Sequence, residues 1–133
     1  MKYLLDTDIC IYLIKRKYPA ILDRLLRTGF ERAGLAAVTL AELEYGAANS
    51  SRSLEARTAL LEFTLPFEIL DFNAPAAACY GKIRKDLKAK GRPVGEMDML
   101  IAATAMADGR TLVSNNEDEF RSIPGLKVEN WVG

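Results

Sequence analysis

Short apolar runs alternate along the chain with longer stretches in which apolar residues recur at helical spacing. The runs at 2–5, 34–38, 67–70 and 111–114 are typical of buried strands, and 127–131 fits an edge strand. Helices are predicted over 8–16, 19–29, from Thr39 to about 48, 54–64, 75–91 and 97–107, with a polar turn or short helix over 115–120. This alternation predicts an α/β fold with a parallel sheet that helices cover on both faces.

The composition is that of one globular domain spanning residues 1–133. Half of the residues are apolar, and the 18 basic and 18 acidic side chains balance, which excludes disorder and a strongly basic DNA-coating protein. No apolar run approaches the length of about 20 residues that a membrane span needs, and Asp6 interrupts the only N-terminal apolar segment. We therefore expect a soluble, cytoplasmic protein that does not bind a membrane.

The absence of histidine restricts the possible chemistry most strongly. It excludes Ser-His-Asp and Cys-His triads, histidine general bases and zinc sites that need imidazole. The two cysteines, Cys10 and Cys79, are far apart and fall in apolar helical patterns, so we expect buried thiols and no metal or redox motif. Any catalysis must then depend on carboxylates, hydroxyls, amines or a metal ion held by oxygen.

Several polar residues follow the carboxyl ends of predicted strands or begin the helices beside them. In parallel sheets these ends form the ligand-binding edge, so the side chains are expected to converge there. They are Asp6, Glu42, Asp98, Ser114, Asn115, Asn116 and Glu119.

Each main carboxylate also has a structural interpretation. Asp6 is placed to cap the helix that follows, for which Thr7 is a second candidate cap, and Glu42 has capping-box spacing from Thr39. Asp98 complements a helix dipole. Three or four carboxylates at one edge repel one another, however, and no basic residue stands beside them. The natural counter-charge is Mg²⁺ or Mn²⁺, which prefer oxygen ligands and promote phosphodiester cleavage.

The residues that carry this argument also resemble a known family. The chain is similar over essentially its whole length to PIN-domain ribonucleases, and more closely to the VapC toxins of bacterial toxin–antitoxin pairs. The matching segments are KYLLDTD at 2–8, AELEYG at 41–46, GEMDMLIAA at 95–103, LVSNN at 112–116 with Glu-Phe at 119–120, and PGLKVENW at 124–131.

The resemblance implies a PIN-like three-layer α/β/α sandwich with a mainly parallel sheet. It also implies a Mg²⁺- or Mn²⁺-dependent endoribonuclease in which Asp6, Glu42 and Asp98 match the acidic triad, with Asp6 and Asp98 as the first metal contacts. Many relatives carry a fourth aspartate where Asn116 stands here. Either Asn116 acts through its carbonyl oxygen or Glu119, one turn later, takes this catalytic role.

Further expectations about the site and partners follow from the same resemblance. Ser114 matches a position that helps to hold the site. The expected reaction is in-line attack of metal-activated water on phosphorus, which leaves 5′-phosphate and 3′-hydroxyl ends. The expected substrate is RNA, with tRNA as one candidate. The expected partner is a VapB-like antitoxin that inserts a C-terminal segment across the active site, and the expected assembly is a homodimer or a heteromeric toxin–antitoxin complex.

A run of basic residues on one predicted helix is the candidate RNA-binding surface. Its alternative is an ordinary solvated helix face. The run consists of Lys82, Arg84, Lys85, Lys88, Lys90 and Arg92, of which the first four are the candidate RNA-binding residues.

Three other functions compete with the nuclease. Asp6 and Asp8 have the D-x-D spacing of haloacid-dehalogenase-type aspartyl-phosphate phosphatases, but the Gly-Thr that normally follows is missing. A phospho-acceptor receiver domain has a similar strand–helix order and an acid at Asp71, but it leaves Glu42 and Asp98 unexplained. A PIN-like scaffold that binds without cutting would be expected to lack one of the main acids.

Overall fold

Five short parallel strands form the central sheet of the computed structural model, which describes all 133 residues. The strands are β1 (Tyr3–Leu5), β2 (Ala33–Ala36), β3 (Glu68–Leu70), β4 (Thr111–Val113) and β5 (Val128–Glu129). Their spatial order is β3-β2-β1-β4-β5, and every neighbouring pair is parallel. The carboxyl ends of the strands therefore lie along one edge of the sheet, as the sequence predicted.

Seven helices connect the strands, together with a short 3₁₀ turn at Phe30–Arg32. They are α1 (Thr7–Ile14), α2 (Pro19–Thr28), α3 (Ala37–Ala48), α4 (Ser53–Thr64), α5 (Ala74–Ala89), α6 (Glu96–Ala107) and α7 (Glu117–Phe120). None of them is both long and apolar enough to cross a lipid bilayer.

The central strand shows why helices cover both faces of the sheet. Successive side chains of a strand point to opposite faces, and all three residues of β1 are buried. Tyr3 and Leu5 belong to a core that includes Ile9 and other residues of α1 to α4, whereas Leu4 belongs to a second core formed largely with α5 and α6. The expected three-layer α/β/α sandwich is therefore confirmed.

The start of α3 differs from its prediction. The segment 34–38 was expected to be a strand and Thr39 to begin the helix, but β2 ends at Ala36 and α3 begins at Ala37 without a side-chain cap. Thr39 is buried, and its hydroxyl lies 3.2 Å from the Thr7 hydroxyl. The capping-box interpretation of Glu42 is therefore wrong. Its carboxylate can instead take part in a site at the edge of the sheet where the carboxyl ends of the strands lie.

A buried arginine crosses the opposite, amino-terminal edge of the sheet. The Arg110 guanidinium donates to the Tyr3 carbonyl oxygen over 3.2 Å and forms ion pairs with Glu68 (2.7 Å) and Asp108 (2.6 Å). A Cβ atom on Gly34 would lie 2.8 Å from an Arg110 guanidinium nitrogen. Glycine is therefore the residue that leaves room for the guanidinium beneath β2.

Substitution of Gly34 by alanine tests this packing. The new methyl group would lie 2.8 Å from Arg110 and 2.7 Å from Leu70, so we expect Gly34→Ala to lower the free energy of unfolding by about 1–3 kcal/mol. Gly81 in α5 has no atom within 4 Å of a Cβ position, so Gly81→Ala should raise stability by about 0.5–1 kcal/mol. Urea unfolding of both variants measures the difference, and equal stabilities would refute the packing argument.

Candidate active site

Asp6 directly follows β1, the central strand, at the edge of the sheet where the carboxyl ends of the strands lie. It is the N-cap of α1 because its Oδ1 accepts a hydrogen bond from the Thr7 backbone N–H over 2.9 Å. The predicted alternative, Thr7 as the cap, is wrong. The other carboxylate oxygen accepts a hydrogen bond from the Ser114 hydroxyl over 2.8 Å. Asp6 is thus both a helix cap and a nearly buried carboxylate, with 4% of its surface exposed.

Ser114 follows β4 and fixes the neighbouring side of the site. Its side chain is fully buried, and its Oγ also accepts a hydrogen bond from the Asn116 backbone N–H over 2.9 Å. The hydroxyl therefore ties Asp6 to the loop after β4. The resemblance implies that Ser114 helps to hold the site, and in the structure this residue contacts Asp6 directly.

Asp8 is a site residue that the sequence reasoning missed. It is only partly exposed, and its carboxylate accepts backbone hydrogen bonds from Ile9 (2.7 Å) and Asn115 (3.1 Å). Its negative charge is one of the causes that raise the pKa of Asp6. The signal in the sequence was the D-x-D spacing of Asp6 and Asp8.

Glu42 reaches the site from the second turn of α3. Its Oε1 accepts a hydrogen bond from the Thr7 hydroxyl over 2.6 Å, so the first turn of α1 positions this carboxylate. Glu44, two residues later, instead pairs with Arg57 of α4 at 2.8 Å and takes no part in the site.

Asp98 and Glu119 form the far side of the site. Asp98 lies in the first turn of α6, whose N-cap is Gly95, and the Gly95 backbone N–H donates to Glu119 Oε1 over 3.0 Å. The Asn116 side-chain amide donates to the other Glu119 oxygen. Glu119 is therefore the residue that presents a carboxylate next to Asp98, and Asn116 positions it.

The electrostatics show that these carboxylates lie close together. Burial, followed by the charge of Asp8, raises the pKa of Asp6 to about 7, against hydrogen bonds from Ser114 and Thr7 that lower it. Burial also raises the pKa of Asp98 to about 6, with the charges of Glu119 and Glu42 as the next causes. The pKa of Asp8 is raised as well, again chiefly by burial.

The site acids have no basic partner. The seven ion pairs of the structure involve other carboxylates, namely Glu44, Glu55, Glu68, Glu96, Asp108, Glu117 and Glu129. Burial, and after it the charges of neighbouring carboxylates, raise the pKa values of Asp6 and Asp98, and no basic side chain offsets this repulsion. An all-oxygen donor set with excess negative charge fits a hard divalent cation such as Mg²⁺ or Mn²⁺.

The spacing of the acids also bears on how a cation is held. No three acidic or cysteine side chains stand close enough together to ligate one ion directly. Mg²⁺ keeps several of its waters in protein sites, so one or two direct carboxylates with water-mediated neighbours suffice. Asp6 and Asp98 fit that description, with Asp8, Glu42 and Glu119 around them.

Comparison with known proteins places this site in a family. A model of the PIN domain matches residues 3–126, a range that includes the five site acids Asp6, Asp8, Glu42, Asp98 and Glu119. The chain belongs to the PIN-domain family. It is 41% identical over 133 residues to the tRNA(fMet)-specific endonuclease VapC of Shigella flexneri, and 39% identical over 132 residues to Ribonuclease VapC2 of Rickettsia felis, with 98% of both chains covered each time. Within the PIN-domain family it is a VapC-type nuclease.

A solved structure shows the same fold. The DNA-bound VapBC complex from Salmonella typhimurium contains a chain that matches with a TM-score of 0.93 and 38% identity, covering 98% of each chain. The fold and the family predicted from the sequence are both confirmed.

Proposed function

We propose that the protein is the toxin of a VapBC-type toxin–antitoxin pair and an endoribonuclease that requires Mg²⁺ or Mn²⁺. The observation that carries the proposal is the convergence of five acids at one sheet edge, with no basic partner and with raised pKa values at Asp6, Asp8 and Asp98. Membership of the PIN-domain family supports nuclease activity. The excess of negative charge among the five acids supports binding of a divalent cation.

Asp6 and Asp98 are the residues proposed to hold the cation. Ser114 and the Thr7 N–H orient Asp6, while Glu119 is oriented by Gly95 and Asn116. Mg²⁺ or Mn²⁺ bound there supplies Lewis-acid activation of water and neutralises charge on the phosphate.

The proposed reaction is hydrolysis of a phosphodiester. The water oxygen forms a bond to phosphorus in line with the P–O3′ bond, which breaks, and the departing 3′ oxygen takes up a proton. Glu42 and Glu119 are the carboxylates proposed to accept the proton that water loses. The products then carry 5′-phosphate and 3′-hydroxyl ends, and the 2′-hydroxyl is not needed as a nucleophile.

The proposed RNA is initiator tRNA. The Shigella flexneri relative, and a Salmonella typhimurium relative of 40% identity, are both named as tRNA(fMet)-specific endonucleases. At this similarity over nearly the whole chain, the same substrate class is the one to test first. The site of action would then be the cytoplasm, where tRNA is available.

The proposed partner is a VapB-like antitoxin, because the solved neighbours include VapBC complexes. An apolar groove of about 460 Å³ between α1, α3 and α4 offers the place for it, and Glu42 forms part of its wall. A C-terminal antitoxin segment seated there reaches the acidic site, where a basic side chain meets the unpaired carboxylates. The groove is lined chiefly by Ile11, Ile14, Leu43, Ala47 and Leu60.

The test is cleavage of purified tRNA(fMet) and an elongator tRNA by the antitoxin-free protein. We expect discrete fragments in Mg²⁺, none in EDTA, and fragments that a 5′-phosphate-dependent exonuclease degrades. Intact RNA in Mg²⁺, or equal cleavage in EDTA, would refute the proposal. Cleavage of both tRNAs alike would refute only the choice of substrate.

The pH dependence provides a second readout. Protons and the cation compete for the same carboxylates, so affinity for Mg²⁺ falls as pH drops through about 7 at Asp6 and about 6 at Asp98. We expect the Mg²⁺ concentration for half-maximal cleavage to rise steeply as the pH falls from about 8 to about 6. A half-maximal concentration that does not change over this interval would argue against Asp6 and Asp98 as the cation ligands.

A further inference from the structure

The structure separates the basic residues of α5 into different surfaces. An α-helix turns about 100° per residue, so Arg84 and Lys88 lie about 40° apart, whereas Lys82 lies about 160° around the helix from Arg84. Lys85 lies opposite the buried Ile83 and Leu87. All four basic side chains are exposed, but only Arg84 and Lys88 lie on the side that turns toward the loop leading into α6.

Arg84 and Lys88 line one end of a groove whose other end reaches Glu119, one of the five site acids. A cavity of about 520 Å³ is formed by these two residues with the 91–94 loop and Met99. An adjoining cavity of about 490 Å³ shares Gly91, Arg92 and Pro93 with the first and extends to Glu119. We call the two cavities together the basic groove.

The turn after α5 fixes Arg92 in the middle of the basic groove. Gly91 has a φ of +63°, a left-handed conformation that glycine adopts without strain, and the Arg92 backbone N–H donates to the Leu87 carbonyl oxygen over 3.0 Å. This hydrogen-bond pattern is that of a Schellman motif. It turns the chain back beside the last turn of the helix, so Arg92 stays close to Lys88.

The charges of the basic groove are largely unpaired. Lys88, Lys90 and Arg92 take part in none of the seven ion pairs, and Arg84 meets Glu96 only at 4.0 Å. The only carboxylates along the groove are Asp118 and Glu119. Unpaired cationic side chains in a concave surface attract a polyanion.

We propose that the basic groove binds the phosphate backbone of the RNA strand next to the bond that is cut. This inference rests on the proposed ribonuclease function and adds the path of the substrate. A site of five carboxylates repels RNA, so positive charge beside it is needed to hold the strand against that repulsion. Glu119 links the two regions because it lines the groove and lies beside Asp98. The RNA strand therefore reaches the site past the loop between α5 and α6, where Lys88 and Arg92 contact its phosphates.

Three double variants with equal charge change test the path. The groove variant is Lys88→Gln/Arg92→Gln. The first control, Lys82→Gln/Lys85→Gln, changes basic residues on the rest of α5. The second control, Lys2→Gln/Lys127→Gln, changes exposed lysines at the amino-terminal edge of the sheet. Each is made in an Asp98→Asn background, where binding is measured without cleavage. The probe is a fluorescein-labelled single-stranded RNA of about 20 nucleotides, followed by anisotropy between about 50 and about 200 mM KCl with Mg²⁺ present.

The groove variant is expected to raise the Kd for RNA about tenfold at low salt. It should also reduce the slope of log Kd against log salt concentration by about 1.4, because each of the two phosphates that is no longer neutralised contributes about 0.7. The two other variants are expected to bind as the parent does. Equal Kd values for the groove variant and the Lys2/Lys127 variant would overturn the proposal. An equal rise in Kd for the Lys82/Lys85 variant would overturn it in favour of a diffuse helix face.

A kinetic comparison separates binding from chemistry. In the otherwise native chain the groove variant should raise KM with kcat nearly unchanged, because the groove holds substrate and transition state alike. A fall in kcat at constant KM would contradict the proposed role. Should the native chain fail to cleave any RNA, groove-dependent binding would still be measurable, so the nuclease proposal and the binding proposal fail separately.

Discussion

Replacement of Asp98 by asparagine is expected to lower the rate of RNA cleavage about a thousandfold. The substitution keeps the size of the side chain and one oxygen but removes the negative charge in the first turn of α6 that is proposed to hold the cation. Metal ions contribute several kcal/mol to the stabilisation of transition-state charge, and about 4 kcal/mol corresponds to about 10³ in rate. Single-turnover cleavage of tRNA in Mg²⁺ at a pH of about 8, above the raised pKa values of the site, measures the effect.

Asp71→Asn is the matched control for this experiment. Asp71 also follows a strand, β3, but it is exposed and takes part in none of the contacts that build the site. It should cleave at the parent rate. If both variants cleave alike, the five acids are not the catalytic centre; if both lose activity, the effect comes from general charge at the sheet edge.

Replacement of Asp6 by asparagine is expected to stabilise the protein while abolishing its activity. Burial raises the pKa of Asp6 from 3.8 to about 7, so the folded protein holds a proton more tightly than the unfolded chain does. Stability of the native protein therefore falls as pH rises from about 4 to about 7 and stays low above that value. Asparagine carries no charge and avoids this decrease.

The difference between pKa values of 3.8 and about 7 corresponds to about 4 kcal/mol of stability. The Thr7 N–H and the Ser114 hydroxyl both donate to the Asp6 carboxylate, and an asparagine amide offers only one oxygen to accept from them, so we expect the gain to be about 2–4 kcal/mol. Thermal unfolding in EDTA at pH values of about 4, 6 and 8 measures it. The Tm difference between Asp6→Asn and the native chain should be small at the lowest pH and grow as the pH rises through about 7. A variant that is less stable than the native chain at the highest pH would show that Asp6 is structurally required.

The same thermal unfolding experiment, repeated with Mg²⁺ in place of EDTA, tests whether Asp6 binds the cation. A ligand that binds only the folded state raises Tm, so millimolar Mg²⁺ at a pH of about 8 should stabilise the native chain. It should leave Asp6→Asn almost unchanged, because the variant lacks one of the two proposed cation ligands. An equal Tm increase in both proteins would place the stabilising ion elsewhere.

The position of the site could be predicted because it depends on sheet geometry alone. Asp6, Asp98 and Ser114 directly follow strands or begin the helices next to them, and parallel strands bring such positions to one edge. The pattern of apolar residues was sufficient to place the strands within about two residues of their observed bounds. Candidate acids at that edge then followed without any knowledge of side-chain contacts.

The local contacts could not be predicted in the same way. The sequence offered both Asp6 and Thr7 as caps of α1 without deciding between them, and in the structure Asp6 is the cap while the Thr7 hydroxyl contacts Glu42. The contact between Thr7 and Glu42 depends on the packing of α1 against α3, which cannot be predicted from the sequence around either residue. Asp8 was missed for a similar reason, since its burial comes from the loop after β4, whose Asn115 N–H donates to it.

The division of the basic residues also required the folded structure. Along the sequence Lys82, Lys85 and Lys88 are equivalent members of one charge run. The Schellman turn at Gly91 brings Arg92 back toward Lys88 and creates a concave surface on one side of α5 only. A charge run therefore indicates that a surface is basic, whereas the turn that ends the helix decides which of its residues face a site.

Direct measurement of Mn²⁺ binding tests most sharply whether these carboxylates form one cation site. Free Mn²⁺ is followed by electron paramagnetic resonance during titration of the native chain, Asp6→Asn, Asp98→Asn and Asp71→Asn at a pH of about 8, where the site acids are ionised. We predict saturable binding to the native chain and to Asp71→Asn, and its absence in Asp6→Asn and Asp98→Asn. Absence of saturable binding to the native chain, or equal binding by all four proteins, would contradict a cation site at Asp6 and Asp98.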